Sequence, residues 1–242
     1  MSLDSAAAKI LQRAVALENE QKFTESLVCF QEGIELLMNS LKAEKSAEKK
    51  NYLREKIDGY MTHAEKIKQH VQHLKDIGKF HEQIKIENNS TSHSYEKVFG
   101  RFLEDAIITH IKIEDPYIRN FHQCQNLLRF CELAVKKCSN LKKIILLTTE
   151  DPDNTREQVE WFHLIGKGLH KYNIVFHHTF SESLHDRQIT LSTGWIIKIG
   201  RGLDYFKAPE NKFTLGVFDM DFRPCHETNV DIFHSKDVKI SS

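Results

Sequence analysis

Apolar residues in the first part of the chain recur every three or four positions, the spacing that places them on one side of an α-helix. Three such segments follow one another without a proline, joined by short connections at residues 21–23 and 43–46. The third is the most regular, because its apolar positions alternate strictly between steps of four and three. These positions are Leu53, Ile57, Tyr60, Ala64, Ile67, Val71 and Leu74. Short connections make neighbouring helices antiparallel, so the pattern predicts a three-helix bundle over residues 5–75.

A polar segment ends this helical pattern. Residues 88–92 are two asparagines followed by Ser, Thr and Ser, and a charged stretch containing Gly78 precedes them. Residues of these types favour turns and loops. We therefore predict a linker over residues 76–92 and a second domain over residues 93–242.

The pattern after the linker alternates between strands and helices. Aliphatic and β-branched runs predict strands at residues 107–113, 144–149, 174–180, near 189–199 and at 213–222. Helical spacing predicts helices over residues 121–138 and 155–172, the second with Thr155 and Gln158 at the spacing of a capping box. Strands that alternate with helices are typical of α/β folds, and the three successive strands at the end indicate a hairpin-like, mixed edge. The predicted fold class is therefore a multidomain chain, with an α-helical bundle followed by an α/β sheet domain.

Composition narrows the class of protein. The 242 residues include 34 Lys and Arg and 34 Asp and Glu, so the formal net charge is zero. This balance disfavours a nucleic-acid binder that works through bulk positive charge. No apolar run approaches the ~18 residues of a transmembrane helix, and the first residues lack the features of a secretory signal. We expect a cytoplasmic protein.

The five cysteines, at positions 29, 124, 131, 138 and 225, form no CxxC pair. Zinc ligands usually come as close pairs from two elements, whereas three of these cysteines follow one another at steps of seven on one helix face. The histidines at 177, 178, 226 and 234 are scattered among strand patterns without paired ligand spacing. We expect buried thiols in a reducing compartment, with no disulfides, no metal and no cofactor.

Met61 lies one step beside the apolar seam of the third predicted helix, with Ala64 about one turn further along. A small residue lets a second helix approach closely, and methionine adapts its shape to a partner. Glu65, next to Ala64, is placed to pair with a basic residue of such a helix. We predict that Met61, Ala64 and Glu65 bind a partner helix; the alternative is that Met61 only widens the bundle core.

Residues 6–72 resemble an MIT domain. The matching stretches are residues 14–15, 21–23, 26–34, 53–57 and 60–67. The resemblance implies a three-helix module that binds the C-terminal tails of ESCRT-III subunits, with Met61 as an apolar contact and Ala64 as the point of close approach. An acidic residue that holds a tail arginine is common in this family at the position of Thr62. Glu65 is expected to take over that role here.

A basic cluster marks the second domain. Between residues 187 and 213 there are five basic residues and two acidic ones, and a Gly-Arg-Gly turn at 200–202 follows an apolar strand. The basic residues are Arg187, Lys198, Arg201, Lys207 and Lys212. Such a cluster suits the phosphates of acidic lipid headgroups, and Trp195, Tyr205 and Phe206 suit a membrane interface if they are exposed. The alternative is an ordinary solvated surface; a nucleic-acid partner is not expected.

His185 and Arg187 are similar to the start of the H-x-K-x-x-x-x-D motif of the phospholipase D superfamily. That chemistry uses a histidine nucleophile on phosphorus and a lysine on the phosphoryl oxygens. In this chain Arg187 replaces the lysine, Ser192 replaces the aspartate, and the motif occurs once. We therefore predict no catalytic residues. The alternatives are a phosphodiesterase that uses His185 across a dimer, and a scaffold whose second domain only dimerises.

The order of the two domains, and the stretches at residues 194–206, 221–228 and 231–234, resemble a family in which an MIT domain precedes a phospholipase D-like domain. The resemblance implies a homodimeric, non-catalytic adaptor that couples ESCRT-III tails to acidic, phosphoinositide-containing membranes. It further implies a peripheral membrane protein of the midbody and late endosome that acts in abscission during cytokinesis.

Overall fold

The computed structural model describes residues 3–236, and its contacts divide the chain into two compact units between Glu82 and Gln83. The first unit holds three helices, α1 (Leu3–Asn19), α2 (Phe23–Ala43) and α3 (Ala47–Asp76). The connections between them are three residues long, as the sequence predicts. The prediction of a three-helix N-terminal region is confirmed.

Gly33 of α2 lies directly against Leu11 of α1. A Cβ at Gly33 would lie 2.6 Å from Cγ of Leu11, so a larger residue would have to displace this buried side chain. The buried hydroxyl of Ser26 donates to the carbonyl of Ala14 at 2.8 Å, which satisfies the only polar atom of that side chain. Along α3, the seam positions Leu53, Ile57, Ile67 and Val71 are buried, as the spacing predicts.

The second unit contains three helices and a seven-stranded sheet. The helices are α4 (Tyr95–Leu103), α5 (Phe121–Lys137) and α6 (Thr155–His170). The strands are β1 (His81–Ile86), β2 (His110–Glu114), β3 (Lys143–Thr148), β4 (Val175–Phe180), β5 (Gln188–Leu191), β6 (Trp195–Ile199) and β7 (Thr228–His234). Their order in the sheet is β1-β7-β6-β5-β2-β3-β4.

The sheet is parallel on one side and antiparallel on the other. Strands β2, β3 and β4 pair in parallel, with α5 and α6 as the crossover helices, whereas β2–β5, β5–β6 and β6–β7 pair antiparallel. Alternate residues of β2 and β3 are buried, among them Ile111, Ile113, Ile144 and Leu146. This is the α/β sheet with a mixed edge that the sequence predicts.

The predicted capping box at Thr155 and Gln158 is wrong. The N-cap of α6 is Asn154, and the buried Gln158 amide donates instead to the carbonyls of Ile118 and Thr149. Those carbonyls need a donor inside the protein, and this takes the glutamine side chain away from the helix end. The capping box of this unit is at Asn120 and Gln123, at the start of α5.

Several elements differ from the prediction. The stretch predicted as a linker contains β1, in which a charged residue, Glu82, takes one of the buried positions and shortens the apolar alternation to Ile84 and Ile86. Helix α4 was not predicted, and residues 189–199 form two strands joined by a turn in which Gly194 has φ +94°. Residues 213–222 form no strand, because the Arg223 guanidinium donates hydrogen bonds to the carbonyls of Gly216 and Val217 in this segment. The last strand is β7.

Trp195, Tyr205 and Phe206 are buried, so the condition for placing them at a membrane interface is not met. Tyr205 and Phe206 lie against Tyr95 of α4, with ring centroids 5.6 and 5.2 Å away. The Tyr205 hydroxyl donates to the carbonyl of His93 at 2.9 Å. These aromatic residues hold α4 to the chain that follows β6.

Candidate functional site

The three predicted partner-binding residues lie on α3 with different exposures. Met61 is 54% exposed, Ala64 is half-buried and Glu65 is exposed. Met61 therefore does not fill the bundle core. Glu65 has one ion pair, to Lys68 at 3.8 Å, and both side chains are exposed. Such a pair contributes little stability, so the Glu65 carboxylate is available to another cation.

Neighbouring side chains fix the orientation of this part of α3. Tyr60 and His63 contact Phe30 of α2, with ring centroids 6.3 and 5.3 Å apart. His63 Nε2 also lies 2.7 Å from a carboxylate oxygen of Glu18 on α1. These contacts hold Tyr60 and His63 towards the bundle and leave Met61 between them on the solvent side.

A cavity of about 390 Å³ lies elsewhere in the helical unit, and none of the three predicted residues lines it. Its lining includes Ala8, Leu11, Tyr52, Leu53 and Lys56. Tyr52 is exposed, and the Lys56 ammonium lies 5.6 Å from its ring centroid. The sequence pattern does not indicate this cavity, because Tyr52 lies outside the apolar seam of α3.

In the second unit, a cleft of about 650 Å³ collects three of the five predicted basic residues, Arg187, Lys198 and Arg201. The β5–β6 hairpin explains the convergence: Gln188 pairs with Lys198, and the Ile199 amide donates to the Arg187 carbonyl at 2.9 Å. Arg201 follows in the next turn, where its amide donates to Thr228 Oγ1 at 3.1 Å. The cleft thus lies at the open end of the hairpin, beside the start of β7.

Two contacts orient the Arg187 guanidinium. Its Nη1 donates to the Gly200 carbonyl at 2.8 Å, and its central carbon lies 4.0 Å from the ring centroid of Tyr117. A guanidinium placed over an aromatic ring keeps its remaining N–H groups in its own plane, where they are able to reach an anion. Tyr117 was not predicted as part of the site, because only the fold brings the β2–α5 connection beside this hairpin.

The cleft also carries acidic groups. Asp186, Glu227 and Asp231 line it together with His185. The pKa of His226, which precedes the lining residue Glu227, is lowered first by burial and then by the charges of Arg201 and Lys207, whereas Asp204 raises it. The cleft lining therefore holds three acidic side chains beside its three basic ones.

Lys207 and Lys212 do not line this cleft. The Lys207 ammonium donates to Asn89 Oδ1 at 2.6 Å, and Lys212 lies exposed in the segment between β6 and β7. Both follow β6 in sequence, but the chain turns back at Phe206, which forms an isolated bridge to Cys225. The five basic residues are therefore a single cluster only in the sequence.

The partial phospholipase D motif does not form one constellation. His185 precedes β5 and Ser192 follows it, so an extended strand separates the two residues. Ser192 Oγ accepts hydrogen bonds from the amides of Thr109 at 3.0 Å and His110 at 3.4 Å. His185 is exposed and lines the cleft beside Arg187.

An apolar groove of about 550 Å³ lies between α5 and α6. Exposed Phe121, Leu128, Leu164 and Tyr172 line it, and Cys124 and Cys131 belong to its lining. All five cysteines are free and buried, which confirms the prediction of buried thiols. Burial raises the pKa of Cys124 and of Cys131 to about 12.

Two further observations bear on function. Across residues 3–236, no group of three or more His, Cys, Asp and Glu side chains is arranged to hold a metal ion. Over the same residues, no helix combines the length and apolarity needed to cross a bilayer.

Comparison with known proteins identifies both units. Residues 5–69 match the MIT (microtubule interacting and transport) domain, and residues 92–234 match the phospholipase D-like domain found at the C-terminus of MIT. MIT domain-containing protein 1 of Mus musculus is 48% identical over 237 residues, which cover 97% of this chain and 94% of the relative. The chain therefore belongs to the family of MIT domain-containing protein 1, in which an MIT domain is followed by a phospholipase D-like domain.

Proposed function

We propose that this protein is a non-catalytic adaptor that couples ESCRT-III C-terminal tails to acidic, phosphoinositide-containing membranes. One observation carries the proposal: a single chain joins an MIT domain to a phospholipase D-like domain whose cleft collects Arg187, Lys198 and Arg201. The first unit supplies a peptide-binding face and the second a phosphate-binding one. Two weak contacts in one chain add through effective concentration.

On the tail side, MIT domains generally bind ESCRT-III tails, and the outer face of α3 offers the required chemistry. An amphipathic helix would place an apolar residue on Met61 and approach the backbone at Ala64. Glu65 would then pair with a basic residue of the tail. The exposure of Met61 supports this arrangement, because an exposed methionine is free to contact a partner.

On the membrane side, Arg187, Lys198 and Arg201 would contact headgroup phosphates. Arginine holds phosphate oxygens through paired N–H groups, whereas lysine acts as a point charge. Lys207 and Lys212 contribute to the general attraction without lining the cleft. Binding of this kind weakens as salt screens the charges.

The absence of turnover is part of the proposal. In this chain Arg187 stands in place of the lysine of the phospholipase D motif, and Ser192 is separated from His185 by the length of β5. The second candidate function is a phosphodiesterase that uses His185 across a dimer, which the position of His185 in the cleft beside Arg187 favours. A scaffold whose second unit only dimerises is the third.

We further propose that the protein is a cytoplasmic, peripheral membrane homodimer, located at the midbody and late endosome and active in abscission during cytokinesis. Two copies would double both contacts and raise the avidity for a membrane that carries ESCRT-III.

The experiment mixes the full chain with phosphatidylcholine vesicles, with and without phosphatidylserine or a phosphoinositide, at low and high salt. Bound protein and released headgroup are measured in the same samples. We expect binding that requires the acidic lipid and falls with salt, and no product. The variant Lys198→Glu/Arg201→Glu should lower binding at least about tenfold, whereas Lys142→Glu, an exposed lysine outside the cleft, should not.

Each other outcome selects a different function. Product that disappears in His185→Ala would replace the adaptor with the phosphodiesterase. No binding and no product, with tail binding intact, would leave the scaffold. Equal loss in the cleft variant and in Lys142→Glu would show that net charge, rather than the cleft, holds the membrane.

A further inference from the structure

A cluster of apolar side chains stands exposed on the loop of residues 210–218, here called the aromatic loop. Phe213 is 98% exposed, Leu215 is 76% exposed and Phe218 is 93% exposed. The sequence predicts a strand in this region, which would bury alternate residues. The fold instead leaves all three in water, where large apolar side chains are unfavourable unless a ligand covers them.

The loop has a fixed backbone. The buried guanidinium of Arg223 donates from Nε to the Gly216 carbonyl, from Nη2 to the Val217 carbonyl and from Nη1 to the Lys207 carbonyl. The Phe213 amide donates to Asn211 Oδ1 at 2.8 Å. Arg223 therefore holds the C-terminal part of the loop, and Lys207 three residues before the loop, to one buried side chain.

Gly216 makes this arrangement possible. Its φ is +90°, and a Cβ there would lie 2.8 Å from the Arg223 amide nitrogen. Only glycine combines that backbone conformation with such close approach. The conformation of the loop at Gly216 thus depends on the backbone freedom of glycine and on the hydrogen bond from Arg223.

The small apolar area of the loop favours a bilayer over a protein as its occupant. Aromatic side chains bury roughly 150–250 Å² each, so three apolar side chains fall short of the about 800 Å² per partner of a stable protein interface. Phe213 and Phe218 are almost fully exposed, so few atoms of this chain cover their rings. The loop carries one charge of each sign, Glu210 and Lys212, and Lys212 directly precedes Phe213, so its ammonium is the group able to reach lipid phosphates.

We propose that the aromatic loop inserts Phe213, Leu215 and Phe218 into the interfacial region of an anionic lipid bilayer, with Lys212 at the level of the phosphates. The inference rests on the membrane binding proposed above and adds a second, apolar contact to it. With insertion, part of the vesicle binding would persist at high salt, because the transfer of apolar surface out of water does not depend on the screening of charges.

The test uses the full chain and phosphatidylcholine vesicles with and without phosphatidylserine. Phe213→Ser/Phe218→Ser should weaken binding to the anionic vesicles roughly tenfold or more, since both rings leave the bilayer. Ile107→Ser removes an apolar side chain from another exposed loop and should have no effect. Both rings are exposed, so the thermal unfolding of the double variant should match that of the parent protein.

A fluorescence experiment separates insertion from adsorption. Phe218→Trp should show a blue-shifted emission on anionic vesicles and quenching by lipids brominated on the acyl chains. Ile107→Trp, the matched reporter, should show neither.

The outcomes are distinct. If the parent protein binds none of the vesicles, the proposed membrane function is wrong and this inference fails with it. A parent protein that binds while Phe213→Ser/Phe218→Ser binds equally well, or while Phe218→Trp is neither shifted nor quenched, would overturn the insertion alone. Sedimentation that shows the double variant monomeric, with vesicle binding unchanged, would assign the loop to contact with a second copy instead.

Discussion

The carboxylate of Asp115 occupies the space that a side chain at Gly202 would need. A Cβ built on Gly202 would lie 1.8 Å from Asp115 Oδ2, and the backbone there has φ +61°. Asp115 is buried at the end of β2, where it accepts hydrogen bonds from the amides of Tyr117 at 3.0 Å and Leu203 at 3.3 Å. Burial raises the pKa of this carboxyl group. The pair joins the connection that carries Tyr117 to the turn that follows Arg201.

Gly202→Ala should therefore destabilise the second unit by more than about 2 kcal/mol, because the new methyl group meets a buried carboxylate in a strained backbone. Gly168→Ala is the matched control: this glycine lies in α6 with no atom within 4 Å of the added Cβ. The control should be neutral or stabilising by up to ~1 kcal/mol. Urea unfolding measures both, and equal stabilities would contradict the argument.

Met61→Asp should weaken the binding of an ESCRT-III tail peptide at least about tenfold, because a carboxylate replaces the central apolar contact of the proposed face. Helicity should be unchanged, since Met61 is exposed. Tyr52→Asp, an exposed residue at the separate cavity, is the control and should bind normally. Titration by fluorescence anisotropy measures both. If Tyr52→Asp loses the peptide and Met61→Asp retains it, the tail occupies the cavity instead.

Rebuilding the phospholipase D motif should not create an enzyme. Arg187→Lys/Ser192→Asp restores the sequence pattern, but β5 still separates position 192 from His185. We expect no hydrolysis of bis(p-nitrophenyl) phosphate above the parent protein. Turnover that disappears when His185→Ala is added would show that the two ends of β5 meet in one site after all.

The buried thiols should be unreactive in the folded protein. Burial raises the pKa of Cys124 and Cys131 to about 12, and that of Cys138 and Cys225 to about 11, from an ordinary value of 9.0. Only the thiolate reacts, so Ellman's reagent at pH 8 should label them slowly until the protein unfolds. Rapid native labelling of the cysteine-lined α5–α6 groove would contradict this.

The same shifts predict how stability depends on pH. Unfolded thiols ionise from about pH 9, while the folded ones hold their protons to pH 11 or 12. The unfolded state therefore binds fewer protons over this range, and the free energy of unfolding should fall as the pH rises above 9. Replacing Cys131 with Ala should flatten that fall in a series of urea titrations.

Local periodicity was sufficient to predict much of the fold. The alternating steps of four and three along α3 predict its buried seam, because a helix repeats every 3.6 residues whatever surrounds it. The alternation of strands with α5 and α6 predicts the α/β part of the sheet, because strands joined by a crossover helix are typical of this fold class. The sequence also supplied Arg187, Lys198 and Arg201 as candidates, and Met61 as a residue outside the seam.

Only the tertiary structure decided which of these residues meet. Arg187 and Lys198 become neighbours through the antiparallel register of β5 and β6, while Lys207 is drawn away to Asn89. Phe213 belongs to an apolar run whose pattern predicts a strand. A single buried side chain, Arg223, donates hydrogen bonds to carbonyls of this segment that strand pairing would need. A sequence pattern records the preferences of each residue for its near neighbours. Contacts between distant residues, and the exposure that remains after them, depend on register and on hydrogen bonds that no local pattern contains.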